Sequence, residues 1–369
     1  MSTDRNKIPD ELIKVIKTLL NLIVLLVFAL LLLPVLFYNS DSINKFFFAA
    51  PPSEKTTSAD PAVVSAGAVP VSLYWKAADL NEINDAKKLE QISYGKDLIA
   101  HTAKYLGPNG SVLQISNGMN CQNCHLDAGT KVFGNNYGSV ASMFPIFRAR
   151  SGAVEDINKR VNDCFERSLN GKALDTAGNE MQAIKAYIEY VGSNVEKGKK
   201  AAGSGFKDLA FMDRACDTEK GSAVYKTKCM SCHQANGEGL LTAGASEFTY
   251  PPLWGKHSYN DGAGLYRITN FAKYVKYNMP FGVTHDNVQL SDEEAWDVAA
   301  FVNSQMHPHK NTPKDWPDTS KKPVDHPFGP YADKFSEHQH KYGPYKPIAA
   351  EQKKREETAK QKETASAKK

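Results

Sequence analysis

Net charge is nearly absent from this chain: 45 basic side chains against 41 acidic ones leave only +4 over 369 residues. The basic residues gather into no stripe of the kind that tracks a phosphate backbone, which argues against a nucleic-acid partner. Between Thr18 and Tyr38 charge is missing altogether, and Leu, Ile, Val and Phe dominate. From Glu351 to Lys369 the shortage is of the opposite kind. Large apolar side chains all but vanish from a Lys-, Glu- and Ala-rich stretch, which reads as a solvated tail, disordered or a frayed helix. Cysteine is scarce too. Of the 6 present, four fall in two pentapeptides, which leaves Cys164 and Cys216 unassigned.

The uncharged run is about as long as the ~20 residues a helix needs to cross a bilayer. A cleaved secretory signal would carry a shorter apolar core, of about 7–15 residues, and a small-residue cleavage site. Here Ala49-Ala50 is followed by Pro51, a poor residue after a cut, so an uncleaved N-terminal transmembrane helix is expected, with a cleaved signal peptide as the alternative. Arg5, Lys7, Lys14 and Lys17 precede the run and only Lys45 follows closely. The positive-inside rule then puts the N-terminus in the cytoplasm and the remainder in the periplasm, anchored to the inner membrane.

The two pentapeptides are Cys121-Gln-Asn-Cys124-His125 and Cys229-Met-Ser-Cys232-His233. Two thiols at this spacing can add to the two vinyl groups on one edge of a porphyrin, and the adjoining histidine falls under the iron. The sequence therefore specifies two covalently bound haems c. An internal repeat in layout surrounds them: a helix, a haem motif, a loop-rich segment and a closing helix. In the first half the pattern predicts helices over Ser93 to Tyr105 and Met181 to Val191. In the second it predicts Lys220 to Lys228 and a closing helix from Ser291, where Glu294 completes a capping box. Gly95 and Gly221 suit the close crossing of first and last helices. The expected fold is all-α, with two cytochrome c-like domains in tandem, an N-terminal transmembrane helix and an extended C-terminal segment. The organisation reads as stub and anchor to residue 48, stalk 49–70, first haem domain 71–200, second haem domain 201–310, extended wrapping segment 311–348 and charged tail 349–369. Lys197 to Gly205 reads as a polar linker between the halves.

What occupies the sixth iron position decides what each haem does. Met279, in Asn278-Met279-Pro280, lies far enough beyond His233 for a loop to pass round the haem, and a thioether raises the potential; Met143 and Met119 are rivals in the first half. Cys164 has two readings. It can pair with Cys216 as a disulfide in an oxidising compartment, or it can bind the first iron as thiolate. Arg160, Cys164 and Ser168 share one face if 156–168 is helical, and Arg167 is near that stripe. A guanidinium one turn from a thiol favours the thiolate, which speaks for the ligand.

The runs Cys121 to Thr130, Phe144-Pro145, Arg148-Ala-Arg150 and Arg160 to Gly171 resemble dihaem thiosulfate dehydrogenases. So do Tyr250 to Gly255, Asp261 to Gly264, Asn278 to Gly282, Glu294 to Phe301, Lys322 to Asp325 and Phe328 to Ala332. The resemblance implies that Cys164 and Met279 are distal ligands and that Arg150, Arg160 and Ser168 line the substrate site. It implies that the first haem is the active site and the second an electron relay. Some members carry Lys before the methionine, allowing a ligand exchange. Asn278 stands there in this chain, and its amide is a poor iron ligand. The implied reaction interconverts two thiosulfates and tetrathionate with transfer of two electrons, to or from a soluble cytochrome c or a membrane redox partner. In that reading Cys164 is both ligand and reactant, carrying a thiosulfonate adduct that a second thiosulfate attacks. A membrane-anchored carrier with no substrate site is the competing expectation and would leave Arg150 and Arg160 as solvent-facing ion-pair residues. A thiosulfate-to-carrier-protein conjugating cytochrome would leave the second-half motifs unexplained.

Overall fold

The computed structural model describes residues 10–38, 74–242 and 247–367, with side chains in the first of these segments described over 14–28. The chain divides into two units, residues 1–67 and 68–369. In the first, helix α1 spans Asp10–Tyr38, and its described side chains are all exposed. Among the described residues no helix is long and apolar enough to cross a membrane, so the anchor expected over Thr18–Tyr38 is without support in the structure. The stalk at 49–70 lies outside the described residues.

The second unit is mostly helical. Its first half is framed by α2 (Ala86–Ala100), α3 (Ile157–Arg167) and α4 (Asn179–Val191), its second by α5 (Thr218–Lys228), α6 (Ile268–Asn278) and α7 (Asp292–Ser304). The helix starts follow from side-chain chemistry. Asp85 accepts from the amides of Lys87 and Lys88, Asp217 from those of Glu219 and Lys220, and Ser291 and Glu294 form the reciprocal box expected of them. Each such cap is worth about 1 kcal/mol. Asp85 moves the first helix start upstream of Ser93.

Two glycines set the helix crossings. A Cβ on Gly95 would sit 2.0 Å from the Ala183 carbonyl oxygen on α4, and one on Gly221 would sit 2.0 Å from that of Asp297 on α7. The crossing pairs α2–α4 and α5–α7 therefore meet backbone to backbone, and this closeness brings the haem motifs against the closing helices. Apolar side chains seal each crossing: Leu98, Ile99, Met181 and Ile184 in the first half, and Tyr225, Trp296, Val298 and Val302 in the second, all buried.

Two short antiparallel hairpins qualify the all-α expectation. β1 (Ile146–Arg148) pairs with β2 (Ala153–Glu155), and β3 (Leu240–Leu241) with β4 (Phe248–Tyr250). Lys197 to Gly205 is not a free linker: the Gly203 carbonyl accepts from Phe133 N–H and from the Asn136 amide, and Gly205 accepts from Asn135 N–H. The charged tail is not disordered either. Helix α8 runs Tyr345–Ala367. Ala, Lys, Glu and Gln are strong helix formers, and the one proline, Pro347, falls in the first turn where its missing N–H costs nothing. Tyr345 and Ile348 are buried at its base, and Arg355 reaches the Asp333 carboxylate at 3.4 Å.

Candidate active site and second haem cavity

The first motif is held by polar bonds to the end of α2 and the turn after it. Cys121 N–H donates to Thr102 Oγ1 at 2.9 Å, and Asn120 Oδ1 accepts from Ala103 N–H at 2.8 Å. Beyond His125 the chain turns left-handed through Asp127, Ala128 and Gly129. A Cβ at Gly129 would meet the Tyr137 ring at 2.1 Å, so glycine is required there. That turn returns the Asn135 carbonyl to His125 Nδ1 at 2.6 Å, and Tyr137 stacks on the imidazole at 4.7 Å. With Nδ1–H donated to a carbonyl, Nε2 keeps its lone pair for a metal. His233 is arranged the same way: its Nδ1 lies 2.8 Å from the Pro251 carbonyl.

A cavity of about 200 Å³ opens at His125. Cys124, Arg148, Arg150, Arg160, Cys164, Arg167 and Ser168 all line it, so every substrate-site residue expected from the sequence converges here. Helix α3 supplies the stripe: Asp156 caps it through Lys159 N–H, and Ser168 is its C-cap residue. Arg160 Nη1 donates to Cys164 Sγ at 3.0 Å. Burial alone would raise the Cys164 thiol, but its surroundings, led by the charge of Arg160, bring it down to about 6. Cys121 and Cys124, buried without such a cation, are pushed up to about 12. Of the thiols around His125, Cys164 is the one whose surroundings favour thiolate.

These contacts also decide the fate of the remaining cysteines. Cys164 lines the cavity with His125, whereas the Cys216 N–H donates to the Tyr342 carbonyl at 2.8 Å near the base of α8, and the two form no disulfide. The disulfide reading fails on placement. Arg150 and Arg160 are not solvent-facing: Arg150 is 15% exposed and paired with the buried carboxylate of Asp163, which Lys159 also holds.

Sequence reasoning missed the far wall. Asp261 to Leu265, Arg267 and Asn270 of the second half, and Thr312, Asp315, Trp316, His326 and Phe328 of the C-terminal segment, complete the cavity. Asp315 binds Arg167 through two bonds of 2.8 Å, Asp325 takes Arg267 at 2.7 Å, and Trp316 N–H donates to the Arg150 carbonyl at 2.6 Å. No local pattern announces such pairings.

The second cavity, of about 580 Å³, is lined by Cys229, Cys232, His233 and Met279, with Tyr259, Phe271, Val298 and Val302 as apolar walls. Met119 from the first half also reaches it, and Cys124 lines both cavities. Asn278 is buried and donates to the Phe133 carbonyl at 3.2 Å and the Tyr274 carbonyl at 3.1 Å. The first cavity thus offers the Cys124 thiol, an imidazole with a free Nε2 and Cys164, and the second both motif thiols, His233 and Met279, donor sets that fit a c-type haem.

Comparison with known proteins agrees with this geometry. Residues 218–305 match the cytochrome c family model, and residues 113–196 match the SoxA/TsdA cytochrome c domain. A thiosulfate dehydrogenase of Psychrobacter arcticus is 35% identical over 245 residues, covering 66% of this chain and 71% of the relative. One from Allochromatium vinosum is 38% identical over 198 residues, covering 53% and 72%. The solved structure of the thiosulfate dehydrogenase TsdBA from Marichromatium purpuratum, as isolated, aligns with a TM-score of 0.57 at 30% identity. It covers 62% of this chain and 49% of that one, so the chain spans about half the length of that structure.

Proposed function

From the premise that the chain belongs to the thiosulfate dehydrogenase family and carries two cytochrome c domains in tandem, we propose that it couples two thiosulfates into tetrathionate at the cavity beside His125. The single observation that carries this reading is the Arg160–Cys164 contact of 3.0 Å inside an arginine-lined cavity that also holds His125. Two haems c, which Cys121, Cys124, His125 and Cys164 and then Cys229, Cys232, His233 and Met279 would hold, would supply the one-electron acceptors.

The remaining chemistry belongs to the side chains. Cys164 thiolate meets the soft terminal sulfur of thiosulfate, while Arg150 and Arg160 hold the sulfonate oxygens by charge-assisted hydrogen bonds and Ser168 adds another. An S–S bond forms between Cys164 and that sulfur, and two electrons leave. The adduct is Cys164-S-S-SO₃⁻. A second thiosulfate then attacks the outer sulfur of this mixed disulfide, which forms the central bond of tetrathionate and returns Cys164 as thiolate. Fixed positive charge lowers the cost of bringing two dianions together. Cys229, Cys232, His233 and Met279 of the second cavity would hold the group that passes electrons on to a soluble cytochrome c or a membrane partner. We place the protein in the periplasm, held by the Thr18–Tyr38 segment.

The test is a pair of assays on the purified holoprotein: thiosulfate with ferricyanide, and tetrathionate with a reduced dye. Cys164→Gly should retain both covalently bound haems, seen in a denaturing gel stained for haem, and lose turnover in both assays. Full activity in that variant refutes the role of Cys164. Absence of sulfur chemistry in the wild type leaves an electron carrier.

A further inference from the structure

Coupling two dianions needs two sets of cationic contacts, and most of the arginines lining the first cavity are already engaged. Arg160 faces Cys164, Arg150 is bound by Asp163, Arg167 by Asp315 and Arg267 by Asp325. Among the described residues Arg148 alone of these five makes no hydrogen bond through its guanidinium. Its nearest carboxylate oxygen, on Glu155, lies 3.9 Å from Nε, and 37% of its side chain is exposed.

The hairpin that carries Arg148 is built with inverted polarity. The register pairs Ile146 with Glu155, Phe147 with Val154 and Arg148 with Ala153. Alternation then places Arg148 and Glu155 on one face and Phe147 and Val154 on the other. The charged face is the inner one: Glu155 is 2% exposed, while Phe147 and Val154 are 61% and 68% exposed. Neither Glu155 oxygen has a hydrogen-bond partner. A strand pair that turns large apolar groups outward and buries an unsatisfied carboxylate is poor packing, and its one evident product is an arginine held at the cavity wall with both terminal nitrogens open. Burial and the charges of Arg160 and Arg150 all act against the charge on Arg148. An anion seated there relieves that repulsion.

We infer that Arg148, steadied from behind by the buried Glu155, is the subsite for the sulfonate of the second thiosulfate, the one that attacks the Cys164 adduct. The inference rests on the coupling reaction proposed above. Arg150 and Arg160 keep the first anion, so the two sulfonates are read by different arginines.

The experiment measures binding apart from turnover. Ascorbate-reduced holoprotein, which has no oxidant for the reaction, is dialysed to equilibrium against radiolabelled thiosulfate. The wild type should bind two anions per chain and Arg148→Ala one. Arg148→Lys, which keeps the counter-charge for Glu155 if the alanine variant fails to fold, should bind two, the second more weakly. In turnover, loss of one charge-assisted contact should raise half-saturating thiosulfate by roughly tenfold to a hundredfold. The Cys164 adduct should then accumulate in peptide mass spectra after oxidation with ferricyanide, because its formation is spared. Two strong sites in Arg148→Ala, or one site in both proteins, overturns the subsite. So does a shifted potential of the first haem with unchanged stoichiometry, which would place Arg148 on the cofactor's own carboxylates. A wild type that binds two anions but oxidises no thiosulfate defeats the proposed reaction and spares the binding site.

Discussion

Replacing Asp315 by alanine removes the one carboxylate that, among the described residues, hydrogen-bonds Arg167. That guanidinium is 10% exposed and its partner 18%, and the two bonds between them are each 2.8 Å. Its Nε is already buried without an acceptor, so after the substitution the Gly262 carbonyl, at 3.3 Å, is its remaining hydrogen-bond acceptor among the described residues. Breaking a buried ion pair from one side costs about 3–5 kcal/mol, and the residual exposure here argues for the lower end. At that size the apparent unfolding midpoint should fall by roughly 6–12 °C. The effect should reach function, because the residue beside Asp315 donates its backbone N–H to the Arg150 carbonyl. Loosening this segment frees Arg150, so half-saturating thiosulfate should rise severalfold while the haem spectra stay unchanged. The double variant Arg167→Met with Asp315→Leu removes both charges and should recover to within about 1 kcal/mol of the wild type. Thermal denaturation of the wild type, Arg167→Met, Asp315→Leu and the double variant closes the cycle. A single variant as stable as the wild type, or a double variant as damaged as the sum of the singles, would show that the pair is not the strut described.

Gly221→Ala should prevent assembly of the second domain, since the added methyl would lie 2.0 Å from a backbone carbonyl that cannot yield without parting α5 from α7; loss of haem from that domain on purification is the readout. Asn278→Ala removes the amide that ties the Met279 segment to the Phe133 carbonyl, and about 1 kcal/mol of stability is expected to go with it. Its sharper signature is a weakened methionine-to-iron absorption band with an altered potential of the second haem. The wild type should lose stability as pH falls from about 6.5 toward 4. Burial, partly offset by the Phe328 carbonyl, lowers His326 from 6.5 to about 4, so the unfolded chain takes up a proton in that window that the folded chain refuses. His326→Gln should flatten that part of the stability profile measured by denaturant titration, and an unchanged slope would remove His326 from the account.

What the sequence disclosed was whatever depended on neighbours along the chain. The haem motifs, the Ser291–Glu294 box and the Arg160–Cys164–Ser168 stripe are contained within a few residues, and helical geometry converts them directly into shared faces. Gly95 and Gly221 were legible for a related reason: a glycine inside a helix has a cost that close approach explains. The far wall was not legible. Asp315 and Asp325 meet Arg167 and Arg267 across long loops, and nothing in a Pro-rich segment marks one aspartate over another. The β1–β2 hairpin misleads any pattern reading, because its apolar residues point outward. For the tail, composition could not separate disorder from a frayed helix; the helix that runs on to Ala367 favours the second.

The asymmetry of the two haem sites has a structural counterpart that neither motif contains alone. The loop that returns Asn135 to His125 is the same loop whose Phe133 carbonyl holds Asn278, next to Met279. Lys131 on it donates to the Val283 carbonyl at 3.1 Å, just beyond that methionine, and the Tyr274 hydroxyl of α6 donates to the Asn123 carbonyl inside the first motif at 2.6 Å. Cys124 lines both cavities. His125 and the segment that carries Met279 are therefore positioned by one hydrogen-bonded assembly. The proposed substrate contacts come from other elements, α3 and the β1–β2 hairpin. Under the proposed reaction, a change at Arg148 or Arg160, which line the first cavity, should alter sulfur chemistry without disturbing Met279, and a change at Asn278 should act on the second cavity without touching those arginines.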